Sequence, residues 1–125
     1  MGKYQNTKDK LKDLYSACQN EKKYTVAQSL CYIEEEHYPW NTKDRSKQLL
    51  FYVAMLVEAN RNGLKEITAG IDYIGEKGNE LLNDQNIVTE VKNSLDAQDL
   101  KELETDIGKV INTFNLRYFR GLSNT

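Results

Sequence analysis

The chain has 125 residues, 39% of them hydrophobic and 29% charged, with a formal net charge of -2. A chain of this length is one ordinary domain that buries about two-thirds of its unfolded surface without help from metal or disulfide, and its composition excludes intrinsic disorder. The longest apolar stretch, residues 49–57, is too short to cross a bilayer, and the opening residues lack a signal-peptide core, so a cytoplasmic protein without membrane contact is expected.

Leu11, Leu14, Tyr15 and Cys18 recur at helical spacing behind Asn6 and Asp9, which have the form of a capping box. They predict a first helix over about residues 7–20. Thr25 and Gln28 form a second box ahead of Val26, Leu30, Ile33 and His37. Pro39 then ends the second helix at His37 or Tyr38. Asn41 and Asp44 signal a third start, and residues 49–57 are apolar on every side, as befits a helix packed all round by neighbours. Flanking helical caps argue against reading that run as a strand. Arg61, Asn62 and Gly63 close it with residues that favour a left-handed exit.

Leu64, Ile67, Ile71, Ile74, Gly78, Leu81 and Leu82 keep one helical face over 64–83, with Gly75 and Gly78 marking a kink or break. Ile87, Val88, Val91 and Leu95 predict a short fifth helix. Asp96 and Asp99 cap a sixth, whose face is Leu100, Leu103, Ile107, Val110, Ile111, Phe114 and Tyr118. No run alternates like a strand, and no repeat or low-complexity linker interrupts the pattern. The fold class expected is therefore all-α: one compact domain of about five or six helices, bundle-like or orthogonal, around a buried central helix near 43–60.

The chemistry available is sparse. His37 is the single histidine. Glu34 and His37 have the ExxH spacing of carboxylate-bridged di-iron bundles, but such sites use the motif twice. His37 is better read as a helix C-terminal residue interacting with the dipole, and Glu34 to Glu36 as a solvated turn. Cys18 and Cys31, without a CxxC pairing, read as reduced core thiols rather than a zinc or redox site. Gly75 and Gly78 lack the surroundings of a phosphate loop. Gly2 is followed by Asn6 where a myristoylation signal needs Ser or Thr. No metal, cofactor or enzymatic activity is expected. Richness in Lys, Asn, Tyr and Ile with a single Pro points to an AT-rich genome, that of a low-GC bacterium or its phage.

Charge is the informative feature. Residues 66–106 hold eleven acidic side chains against Lys77, Lys92 and Lys101, while the rest of the chain has fourteen basic and eight acidic residues. Asp72, Glu76, Glu80 and Asp84 fall at four-residue intervals, which on a continuous helix sets like charges about 5–6 Å apart at a cost of roughly 0.2–0.5 kcal/mol per pair. The plain account is a solubilising face. The functional account is a surface that occludes a basic protein partner, as a toxin-immunity protein or phage-encoded inhibitor does, and it is taken as the leading expectation.

An alternative comes from Lys43, Arg45, Lys47, Arg117 and Arg120, which would meet phosphates in a helical subunit of a ribonucleoprotein, CRISPR-like or DNA-associated assembly. A sequence pI of about 5.5 tells against an autonomous nucleic-acid binder. Most of the aromatics have a simpler home than an interface: Tyr15, Tyr52 and Tyr118 lie on apolar faces, and Trp40 takes a core-plugging position between the second and third helices. Nothing in the sequence sets an oligomeric state.

Overall fold

The computed structural model describes residues 2–37, 43–66 and 68–114. Among them are six α-helices and no strand: α1 (Lys3–Glu21), α2 (Val26–His37), α3 (Arg45–Arg61), α4 (Ala69–Leu82), α5 (Gln85–Ser94) and α6 (Ala97–Phe114). The all-α class and the buried central helix are as the sequence predicts. Pro39, Trp40, Asn41, Ile67, Arg117, Tyr118 and Arg120 lie outside the described residues.

α3 is the axis, because every other helix packs against it. Its residues from Leu49 to Leu56 are all buried, as the all-round apolar pattern requires. Asp44 starts it by accepting from the backbone N–H groups of Ser46 and Lys47, at 3.0 and 3.4 Å. The Ser46 hydroxyl also donates to Asp44 at 2.6 Å, and this bond foremost holds the carboxyl below its ordinary range. At the other end Gly63 has φ of 103°, the Leu64 N–H reaches Ala59 O at 3.0 Å and the Gly63 N–H reaches Asn60 O at 3.0 Å. These two bonds make a Schellman motif.

That motif corrects the expected start of the fourth helix. Leu64 is the apolar residue closing the α3 cap, half-buried against the core, and α4 begins only after Thr68, whose hydroxyl accepts from Ile71 N at 3.2 Å. From there the helix runs unbroken through Gly75 and Gly78, both buried. The expected break does not occur.

The first helix also departs from expectation, starting at Lys3 rather than near residue 7. Asn6 lies inside it and donates its backbone N–H to Gly2 O at 3.0 Å. The local box loses to tertiary contacts: Tyr4 is fully buried, and burying a large side chain is worth about 1.5–3 kcal/mol. α1 is further tied to α3 by the Tyr15 hydroxyl, which donates to Met55 O at 3.0 Å. Thr25 and Gln28 do form the reciprocal capping box of α2, at 2.9 and 3.2 Å. Asp96 caps α6 through Asp99 N at 2.7 Å.

Candidate functional site

Because α4 is continuous, its two faces are well defined. Ile71, Ile74, Leu81 and Leu82 point into the core, while Asp72, Glu76 and Glu80 are exposed, one above another along the opposite side. Lys77 is 4.0 Å from Glu80, a long and solvated pairing. Asp72 stands in the first turn, where a negative charge complements the helix dipole.

Asp84 does not share this face. α4 ends at Leu82, Asn83 closes it with its N–H on Asn79 O at 3.0 Å, and Asp84 becomes the N-cap of α5. Its Oδ1 accepts from Asn86 N at 3.0 Å and Ile87 N at 3.4 Å, and its Oδ2 lies 3.5 Å from the Arg45 guanidinium. The stripe of four is thus a stripe of three, and Asp84 has a local structural task.

Beside the acidic face lies a groove of about 310 Å³ between α2 and α4, lined by Leu30, Cys31, Glu34, Gly70, Tyr73 and Ile74 among others. Leu30 and Ile74 form its buried floor. A Cβ on Gly70 would come within 2.6 Å of the Leu30 Cδ2 atom and 3.1 Å of the Cys31 Sγ atom, so glycine is what lets the start of α4 approach α2. Tyr73, 44% exposed, is the single exposed large hydrophobic side chain among the described residues. Burial, with Glu35 beside it and Lys77 opposing, raises the Glu34 carboxyl above its ordinary range.

Cys18 is buried, as expected, but Cys31 is exposed, a correction to the reading of both as core thiols. The apolar residues of α2 leave Cys31 beside the buried face rather than on it. Burial and then Glu35 and Glu34 push its thiol up, which disfavours a reactive thiolate. His37 ends α2, with its ring edge-on to Tyr32 at 6.4 Å between centroids. No group of three or more His, Cys, Asp or Glu among the described residues is arranged to hold a metal ion.

Of the basic candidates, Lys43, Arg45 and Lys47 are exposed around the start of α3, and Arg45 is engaged with Asp84. Lys47 also lines a recess between α1 and α3 with Lys3, Asn6, Thr7, Lys10 and Leu50. Arg117 and Arg120 lie outside the described residues.

Sequence reasoning missed a buried polar network joining α1 and α6, and a buried carboxylate on α3 paired within its own helix. The Tyr4 hydroxyl donates to Asp106 Oδ2 at 2.7 Å, and Lys8 donates to the same oxygen at 2.9 Å and to Glu102. Burial first, then Asp106, drives the Tyr4 hydroxyl far above the ordinary phenol range. Burial works against the charge of Lys8, but its two carboxylate partners outweigh this and hold the ammonium above its ordinary value. Glu58, 1% exposed, accepts from Arg61 through both oxygens at 3.1 Å, yet burial outweighs Arg61 and raises the carboxyl. These charges are satisfied by one another, which makes the cluster an internal tie rather than a place for substrate.

No helix among the described residues is long and apolar enough to cross a membrane. No family model, curated protein or solved structure matches this chain.

Proposed function

We propose that this chain is a non-enzymatic binding protein of the cytoplasm of a bacterium or its phage. It blocks a protein partner by covering a basic surface with the outer face of α4, in the manner of a toxin-immunity protein or phage inhibitor. Asp72, Glu76 and Glu80 are the contact, and Asp84 supports them by starting α5. The observation that carries this reading is the exposure of all three carboxylates on one unbroken helix with Lys77 the lone cation on that helix. Like charges four residues apart cost an isolated helix about 0.2–0.5 kcal/mol per pair, which the helix dipole at Asp72 and Lys77 beside Glu80 offset in part. A basic partner converts that repulsion into attraction and speeds encounter.

The test is affinity capture from the source cells with the natural chain and with a variant carrying Asp72→Asn, Glu76→Gln and Glu80→Gln. A protein with a basic surface retained by the first and lost by the second supports the reading. Equal capture by both sinks it.

A second reading is favoured by the recess between α1 and α3, which is lined by the exposed Lys3 and Lys47 where phosphates would meet them. Under that reading, nucleic-acid affinity falls steeply with salt and drops on Lys3→Ala and Lys47→Ala. An affinity absent at low salt removes it.

A further inference from the structure

We propose that the groove between α2 and α4 seats the apolar residues of a basic amphipathic helical segment of a protein partner. This rests on α4 being the contact helix, and it specifies what the partner must present. Two properties of the groove select that occupant. The floor is apolar, built from Leu30 and Ile74, with Tyr73 standing exposed at the edge. The rim is acidic on the α2 side, where Glu34 and Glu35 line the groove, and is formed by Tyr73 on the α4 side. The cation of α4, Lys77, lies 5.5 Å from the Tyr73 ring centroid and leaves the balance of the rim negative.

The apolar strip also continues over α2. Cys31 and Glu35 line a second shallow groove with Tyr24, Ala27 and Tyr32, so Cys31 sits where the two meet. A helix with apolar residues at i, i+3, i+4 and i+7 and Lys or Arg elsewhere places its apolar stripe along this strip and its cations against the rim. Neither an acidic segment nor a uniformly apolar one matches both properties.

The experiment uses the intact chain and two synthetic peptides of one composition, Leu with Lys and Arg, the first amphipathic as a helix and the second scrambled. Alkylation of the exposed Cys31 thiol reports occupancy of the groove, and buried Cys18 serves as the internal control. The amphipathic peptide is expected to slow alkylation of Cys31 several-fold, and Tyr73→Ala to weaken its binding by about tenfold. Glu34→Gln with Glu35→Gln should weaken it too, in a manner that high salt reproduces.

Equal protection by the scrambled peptide, or unchanged binding to Tyr73→Ala, overturns the groove while leaving the acidic face of α4 as a contact. Failure of both peptides to bind overturns it as well. Protection of Cys31 that rises with protein concentration and needs no peptide assigns the groove to a second copy of the chain instead. Capture that ignores the three α4 carboxylates, alongside a groove that discriminates the peptides, would overturn the proposed function alone.

Discussion

The Asp99 carboxylate on α6 accepts the backbone N–H of Tyr4 on α1 at 3.1 Å, serving as the helix cap that α1 lacks in its own sequence. Gly2 occupies the N-cap position, and a Cβ added there would fall 1.7 Å from Asp99 Oδ2. Two helix starts are therefore chained, since Asp96 caps α6 and Asp99, one turn on, caps α1.

Gly2→Ala is expected to break this contact and lower stability by about 1–3 kcal/mol, the usual cost of leaving buried polar groups unmatched. Asp99→Ala should cost about 0.5–2 kcal/mol, as loss of a cap does. Urea denaturation measures both, and an unchanged midpoint for Gly2→Ala would remove the tertiary cap from the account.

Glu58 gives a pH dependence with a definite sign. Its folded carboxyl is raised by burial, so the folded state holds the proton more tightly than the unfolded state does. Its contribution to stability is fully present below the ordinary glutamate range and is lost as pH rises through the elevated folded value. Asp44 acts oppositely, because its folded value is lowered, while Glu34 acts in the same sense as Glu58. The difference between the natural chain and Glu58→Gln isolates the effect: the variant should gain stability relative to the natural chain as pH rises. Arg61→Ala should steepen the loss. A constant difference between natural chain and Glu58→Gln at all pH values would show that Glu58 does not titrate abnormally.

Lys23 has φ of 60°, a left-handed conformation just after α1, with the Tyr24 N–H returned to Cys18 O at 3.1 Å. A side chain in that region costs roughly 1–2 kcal/mol, partly offset by the flexibility glycine brings to the unfolded chain. Lys23→Gly is expected to raise stability by about 0.5–1 kcal/mol in thermal or urea unfolding. A lower midpoint would contradict this.

The acidic residues separate by task. Asp84→Ala should cost about 0.5–2 kcal/mol, because α5 loses its cap. Glu76→Gln and Glu80→Gln should stay within about 0.5 kcal/mol of the natural chain. Equal losses at all three positions in urea titrations would mean that the outer face of α4 has a structural role.

Local signals are what the sequence made legible. Thr25 with Gln28, Asp44, Gly63 and Asp96 all cap the helices that they announce, because each acts on its own backbone within a few residues. The failures have two causes: a tertiary partner overrides a local pattern, or one local pattern overrides another. Asn6 and Asp9 form an acceptable box, but Tyr4 and Asp99 extend α1 past it. Leu64 continues the α4 period while serving α3. Asp84 keeps the four-residue spacing one step beyond the helix that carries it, and its own capping preference was the signal available. Asp106 gave no warning, because its partners Tyr4 and Lys8 stand on a helix that only folding brings near, and for Glu58 the local partner Arg61 was legible while its burial was not.

The acidic face of α4 is read most directly by carboxyl footprinting, in which a carbodiimide couples an amine to accessible carboxylates of the chain alone and bound to its captured partner. Asp72, Glu76 and Glu80 should lose labelling in the complex, while Glu21 and Glu104, exposed on other helices, keep theirs. Undiminished labelling of those three side chains in a saturated complex would contradict the account.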